Sequence, residues 1–158
     1  MNVLIIDLQN YESQYFYFLD RQKNLLLEGT FTKIIYTHLH FTMNSLYFRF
    51  PICYDYIENG KDKCYVHFDV ESIQNRVILN TIFKLETQIL LQYANYTGHK
   101  KSSNMSLYKH LLKGKFRIFE KPYSSLEQYQ YILKISGVWE TKNEFGITYK
   151  WLEANSLH

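Results

Sequence analysis

The chain has little of the chemistry that marks secreted and membrane-spanning proteins. Two cysteines in 158 residues, Cys53 and Cys64, are too few for the disulfide framework of a secreted domain and favour a reducing compartment. No apolar run is long enough to span a bilayer, and the N-terminal MNVLIIDLQN has an acid where a signal peptide has a base. We therefore expect a protein of the cytoplasm or nucleus that is not secreted and does not bind a membrane.

Common catalytic and repeat patterns are also absent. The sequence contains no Gly-rich phosphate loop, no H-E-x-x-H and no G-x-S-x-G, and it has no internal repeat, low-complexity tract or linker. Its length suits one domain over residues 1–158 with a core large enough to fold without cross-links. We expect a single domain that is not an enzyme and carries no cofactor.

Acidic residues are missing from one stretch of the chain, Thr87 to Phe119. The formal net charge is only +3, which says little about partners. The same stretch nevertheless contains six cations: Lys100, Lys101, Lys109, Lys113, Lys115 and Arg117. Such a segment is either an ordinary solvated surface or an electrostatic footprint for phosphates.

Aromatic residues are abundant, with 15 Tyr, 11 Phe and 2 Trp making up 18% of the chain. Strand-rich proteins favour these residues, so most of the rings are expected in the core. Each buried tyrosine hydroxyl needs a hydrogen-bond partner, which makes 15 tyrosines many for a small interior. We expect several tyrosines at the surface, where rings take part in recognition.

The last quarter of the chain predicts a β-hairpin, Tyr131–Glu140 and Phe145–Glu153, joined by the polar turn TKNE. Side chains alternate in a strand, which places Tyr131, Leu133, Ile135 and Trp139 on one face and Ile132, Lys134, Ser136 and Val138 on the other. On the return arm, Phe145, Ile147, Tyr149 and Trp151 alternate with Gly146, Thr148 and Lys150. One face of the hairpin is therefore apolar, and the other is small and basic.

The remaining chain predicts more strands and one long helix. Strands are expected over residues 2–8, 14–20, 30–36, 44–52, 64–70 and 115–119, with Asn59-Gly60 as a turn signal before Cys64. Apolar residues at helical spacing predict a helix that is capped by Ser72 and runs through Tyr93, with Glu86 on its polar side. A basic loop is expected over 97–104, followed by a short helical turn that ends at Gly114. This order indicates a mainly β protein, a small OB-like barrel with one inserted helix; the alternative is an α+β sheet covered by the helix.

The strand faces opposite the core predict a single-stranded nucleic-acid site, because such a site needs cations along a groove with rings between them. The candidate residues are Tyr47, Arg49, Tyr65, Lys113, Lys115, Arg117, Lys134 and Lys150.

The sequence also contains residues suited to two other kinds of site. Cys64 and His67, joined by Cys53 or by His38 and His40, could bind zinc, although zinc sites usually have tighter paired spacings. Asp69 and Glu71, with Lys84, could hold Mg²⁺ for phosphodiester cleavage, or could simply charge a helix N-terminus. We expect no metal at either place.

Several segments, taken in order, resemble the single-stranded DNA-binding OB-fold proteins of nucleocytoplasmic large DNA viruses, which are similar to podophage replication proteins. These segments are GTFTKIIY (29–36), FTMNSLYF (41–48), LETQILLQY (85–93), LLKGKFRIF (111–119), LKISGVWE and FGITYK. The resemblance implies a barrel that coats unwound DNA during viral replication, recombination or repair in the host cytoplasm or nucleus. It also implies that Lys33 and Tyr36 lie near the DNA, together with Arg49, Lys115, Arg117, Lys134 and Lys150.

One departure concerns partners. The phage relatives end in an acidic tail that recruits replication proteins, whereas this chain ends in LEANSLH. We expect single-stranded nucleic acid, DNA favoured, as the partner, with a possible homo-oligomer and replication partners unknown. The rival hypotheses are a viral protein-interaction or structural protein that uses its tyrosines at an interface, and a metal-dependent nuclease.

Overall fold

The computed structural model describes residues 4–24, 28–118 and 129–155. In these residues the chain is mainly β, with one long helix, which confirms the predicted class at that level. The strands are β1 (Ile6–Asp7), β2 (Phe16–Lys23), β3 (Thr30–His38), β4 (Phe41–Asn44), β5 (Leu46–Phe50), β6 (Tyr54–Asn59), β7 (Cys64–Phe68), β8 (Ser102–Asn104), β9 (Lys115–Ile118), β10 (Tyr129–Glu140) and β11 (Glu144–Asn155). A 3-10 helix spans Ser13–Tyr15, and the α-helices are α1 (Ile73–Thr97) and α2 (Ser106–Leu111).

The predicted hairpin is the centre of the sheet. β10 and β11 are antiparallel, and the turn between them is closed by the Thr141 amide donating to the Glu144 carbonyl at 2.8 Å. The other edge of β10 is divided between two strands, with β5 paired along Tyr131–Ile135 and β3 along Gly137–Glu140. β10 therefore joins the two halves of the sheet.

The outer strands extend the sheet in both directions from this hairpin. On one side, β11 is followed by β9, β7 and β6 in that order, and β8 lies beside the start of β11. On the other side, β3 is flanked by β2 and β4, and β5 has β1 beside it. Within the described residues β6 pairs only with β7 and β2 pairs only with β3, so the sheet is open.

A β-bulge in β10 corrects the predicted faces of the hairpin. The register with β11 shifts between Ile135 and Gly137, so one extra residue is accommodated there and the alternation changes phase. Val138, predicted opposite the core, is 0% exposed, whereas Trp139 is only partly buried. Before the bulge the prediction is confirmed, because Leu133 and Ile135 are both fully buried.

Helix α1 begins where it was predicted and packs its apolar side into the core. Ser72 caps its N-terminus by accepting a hydrogen bond from the Asn75 amide, and Gly98, in the left-handed conformation with φ of 71°, ends it. Glu86 was predicted on the polar side of the helix, and this is wrong: it is 0% exposed. Its two carboxylate oxygens accept the backbone N–H groups of Leu107 and Tyr108 at 2.9 and 3.0 Å, which supplies a cap for the first turn of α2.

The segment after α1 is more ordered than the predicted basic loop. Ser102–Asn104 forms β8, which runs parallel to Glu144–Gly146 of β11. The short helical turn is confirmed as α2, followed by Gly114 with φ of 75°.

The core lies between α1 and the inward face of the sheet. Rings make up much of it: the Phe50 ring centroid is 4.5 Å from that of Trp151, which in turn lies 4.7 Å from that of Phe116. Gly137 has no room for a side chain, because a Cβ there would lie 2.2 Å from the Thr32 carbonyl oxygen. Neither helix in the described ranges is long and apolar enough to cross a membrane.

Candidate nucleic-acid interface

The outward face of β5 presents the first two predicted site residues. Leu46, Phe48 and Phe50 are buried in the core, and the alternation of the strand therefore directs Tyr47 and Arg49 to the other face. Arg49 is exposed, and its Nη1 lies 3.7 Å from Oδ1 of Asp7 on the neighbouring β1. Tyr47 is only 7% exposed, because other side chains cover its ring.

Lys134 and Lys150 lie next to Tyr47 on the same face. Lys134 of β10 is directly paired with Tyr47 on one side and with Lys150 of β11 on the other. The Lys134 ammonium lies 5.6 Å from the centre of the Tyr47 ring, in a cation–π contact. Two lysines directly opposite each other repel, so this pairing costs some stability.

Strands β9 and β7 continue the same line of residues. Trp151 of β11 is paired with Ile118 of β9 in a parallel register, so the preceding residues, Lys150 and Arg117, are neighbours on the outward face. Arg117 is in turn paired with Tyr65 of β7. Tyr47, Lys134, Lys150, Arg117 and Tyr65 thus form one line across five strands, which we call the cationic row. At about 4.8 Å per strand it is roughly 19 Å long.

A second line runs beside the cationic row. Lys115 is paired with His67, and His67 is paired with Tyr56. The rings of His67 and Tyr56 stack, with centroids 4.5 Å apart and planes 9° from parallel. The Lys115 ammonium lies 4.9 Å from the centre of the Tyr65 ring, which ties this line to the row. At the other end of the sheet Lys33 is paired with Gly137, and its side chain is exposed.

Acidic groups approach this face only near its edges in the described part of the chain. Asp7 pairs with Arg49, and Glu58 Oε2 lies 2.7 Å from His67 Nε2. Lys115, Lys134 and Lys150 make no ion pair with a described residue. Their charge is available to an anion supplied from outside.

Two predicted residues lie elsewhere. Tyr36 is 5% exposed and points into the core, where its ring packs against those of Tyr15, Phe16 and Phe41, so its expected role beside the DNA is wrong. The cause is its register on β3, where Thr32, Ile34 and Tyr36 all face inward. Lys113 lies on the loop after α2, at the mouth of a recess that adjoins the cationic row.

Tyr56 is a residue of this face that the sequence interpretation missed. Its side chain is 58% exposed, and it provides the outermost ring of the second line. The alternation in YDYIEN, followed by the Asn59-Gly60 turn, could have placed it opposite the already recognised His67.

The residues considered for metal binding have other roles. Cys64 is buried on the core side of β7, while His67 faces outward on the same strand. The Asp69 Oδ1 accepts the backbone N–H of Glu71 at 2.9 Å, which forms a local turn before α1. Among the described residues no group of three or more His, Cys, Asp or Glu side chains is arranged to hold a metal ion.

A second cluster of charges surrounds Glu140 on the inward side of the sheet. Glu140 is 4% exposed and accepts hydrogen bonds from the Tyr93 hydroxyl at 2.6 Å and the Lys101 ammonium at 2.5 Å. Arg21 Nε lies 3.5 Å away and His99 Nε2 lies 3.9 Å away. Burial alone would raise the pKa of Glu140, but the hydrogen bonds from Lys101 and Tyr93 and the charges of Arg21 and Lys101 together hold its pKa below the usual range.

The chain matches no protein-family model, and comparisons with curated proteins and with solved structures find no match.

Proposed function

We propose that this protein binds single-stranded nucleic acid, with DNA favoured, along the outward face of the sheet and with little sequence preference. The observation that carries the proposal is the cationic row, in which three cations from three strands lie between two tyrosines without an acidic residue among them. Phosphates neutralise the cations, and bases stack on the partly exposed Tyr65 ring and the exposed Tyr56 ring. The protein performs no chemistry on the strand in this proposal.

The finer fold and the biological setting belong to the same proposal. In favour of an OB-like barrel is the change of strand partner at Ser45, with φ of 81°, where the chain passes from β4 beside β3 to β5 beside β10. The sequence resemblance supplies the setting: coating unwound DNA during viral replication, recombination or repair in the host cytoplasm or nucleus. A homo-oligomer is compatible with this role.

Titration of the protein into labelled oligo-dT across a salt series tests the proposal. We expect log affinity to fall linearly with log salt, with a slope of about −0.7 for each phosphate contact, because binding releases condensed counterions. A duplex of the same length is the control, and it should bind more weakly since its bases cannot stack on protein rings. Absence of binding at low salt, or equal affinity for the single strand and the duplex, would contradict the proposal.

A role as a protein-interaction module is the second candidate, and one observation favours it. The outer side of α1 exposes apolar side chains, with Ile73 83%, Leu91 60% and Val77 54% exposed. Exchange of Ile73 and Leu91 for serine separates the two functions, because it removes this apolar surface and leaves the cationic row intact. Full retention of oligo-dT affinity in that variant supports nucleic-acid binding by the sheet.

A further inference from the structure

An opening in the sheet lies beside the cationic row. β9 and β11 are paired only at Ile118 and Trp151, and β8 is paired with β11 only along Glu144–Gly146. Between those two contacts, residues 147–149 of β11 have no strand neighbour on that edge in the described ranges. A strand edge without a neighbour presents backbone N–H and C=O groups that can bind a ligand.

Helix α2 and buried rings make this opening into a recess of about 420 Å³. Leu107 and Leu111 line it from α2, and Phe116 and Trp151 line it from the two strands. All four side chains are at most 5% exposed, so they belong to the packed core and hold the recess in shape. Its interior therefore suits a flat, largely apolar group.

The mouth of the recess is cationic. Lys113, Lys115, Arg117 and Lys150 all line it, and none of the described residues that line it is acidic. Lys150 and Arg117 also belong to the cationic row, so a strand that follows the row passes this mouth. An anionic group bound there is adjacent to the apolar interior, which is the arrangement of phosphate and base in a nucleotide.

One polar pair inside the recess is suited to an uncharged partner. The Tyr149 hydroxyl is hydrogen-bonded to His110 Nδ1. Burial raises the pKa of Tyr149, with the Glu86 charge adding to the effect, while burial and the nearby Lys113 charge lower the pKa of His110. Both groups are therefore neutral near pH 7. They can form hydrogen bonds with an uncharged group, and they add no charge that a second phosphate would have to neutralise.

We propose that this recess receives one nucleobase turned out of the bound strand, while the neighbouring phosphate is held by the cations at its mouth. The inference rests on the proposed function, since it assumes a strand lying along the cationic row. A base in the recess would lie against the accessible edges of Phe116 and Trp151, whose ring centroids are 4.7 Å apart, with its polar edge toward Tyr149 and the free edge of β11. A free nucleotide has the same chemistry, so the test must distinguish the two.

The test compares oligo-dT with an abasic oligonucleotide of the same length, using two matched tryptophan substitutions, one on α2 and one at the residue that follows it. His110→Trp places a large ring in the recess at an exposed position, whereas Leu112→Trp adds the same ring at an exposed residue outside it. We expect His110→Trp to lower oligo-dT affinity by about tenfold, a typical stacking contribution, and to leave abasic affinity unchanged. Leu112→Trp should change neither affinity.

Fluorescence of Trp151 supplies a direct readout. The protein has two tryptophans, so Trp139→Phe leaves Trp151 as the only tryptophan, which is excited selectively at the red edge of the absorption band. Oligo-dT should quench it and the abasic strand should not. If His110→Trp lowers oligo-dT and abasic affinity alike, or both tryptophan variants behave alike, the inference is wrong while the proposed function stands. If dTMP quenches the Trp151 fluorescence at as low a concentration as oligo-dT does, the recess is a free-nucleotide site and the inference is again wrong. If neither oligonucleotide binds, the proposed function itself fails.

Discussion

Lys101, just before β8, and Lys134 of β10 are both partly buried cations, but they differ in what neutralises them. The Lys101 ammonium is bound to the Glu140 carboxylate and to the Thr141 carbonyl oxygen. The Lys134 ammonium lies over the Tyr47 ring and faces Lys150, and it makes no ion pair with a described residue. The cluster around Glu140 thus supplies its own counter-charge, while Lys134 and Lys150 of the cationic row make no ion pair with a described residue.

The difference shows why a count of charges is a poor guide to function in this chain. Lys101 and Lys115 both belong to the acid-free stretch from Thr87 to Phe119, yet only Lys115 lies on the proposed interface. A cation that has a carboxylate partner within the protein stabilises the fold, whereas a cation without such a partner can bind a ligand. Four predictions test this separation.

The largest effect is expected from Glu140→Ala. It leaves Arg21, Lys101 and the Tyr93 hydroxyl without their shared acceptor, and removal of one partner from a buried ion pair typically costs 3–5 kcal/mol. Because Arg21 and Lys101 keep partial access to water, we expect a loss of about 3 kcal/mol in the free energy of unfolding, measured in urea. Asp20→Asn, at an exposed position, is the control. An equal loss in both variants would contradict the assigned role of Glu140.

Next in size is the loss of affinity from Lys134→Ala combined with Lys150→Ala. We expect about a tenfold weaker Kd for oligo-dT, and a salt slope reduced by about 1.4, since about 0.7 is lost for each phosphate contact. Lys23→Ala with Lys142→Ala removes the same charge from exposed positions outside the cationic row. If that control pair weakens binding as much, the row has no special role and only net charge matters.

A smaller effect is expected from Lys150→Glu, which should raise stability and lower oligo-dT affinity. The new carboxylate would face Lys134 across the strand pair and replace repulsion by attraction. We expect the free energy of unfolding to rise by about 0.5 kcal/mol at low salt while oligo-dT affinity falls. Lys142→Glu, in the exposed turn of the hairpin, has the same charge change without that partner. A parallel loss of stability and affinity would show that Lys150 is structural.

The mildest perturbation is pH. The folded-state pKa of Glu140 is held below its usual value, so its contribution to stability is complete above about pH 4.5 and is lost as the pH falls through the folded pKa. Urea unfolding between neutral and acid pH should show this loss in the wild type. The Glu140→Gln variant should show a smaller pH dependence over the same window. An unchanged dependence in that variant would assign the acid transition to other carboxyl groups.

Much of the fold was predictable because it depends on short-range patterns. The alternation in LYFRF and CYVHF gave the correct faces of β5 and β7, and Ser72 gave the start of α1. The same alternation predicted that Lys134, Lys150, Arg49 and Arg117 point away from the core. It could not show that these strands are neighbours, because pairing across more than one hairpin is a property of the whole fold.

The errors have local physical causes. The bulge between Ile135 and Gly137 adds one residue without any change in composition, so a strict period of two assigns Val138 to the wrong face. Glu86 has the spacing of a buried helix residue, four after Ile82 and three before Ile89, but its charge suggested a polar side. The Glu140 cluster joins Arg21, Tyr93 and Lys101, which are far apart in the chain, and no sequence pattern links them.

The divided pairing of β10 has a practical consequence for modifying this protein. A peptide tag inserted in or beside β10 would disturb its ladders with β11, β5 and β3 at once. The turn Gly60–Lys63 is exposed throughout and joins only β6 to β7 at one border of the sheet. Exposed turns of this kind tolerate insertions best, which makes it the preferred point for a reporter or a new pair of termini.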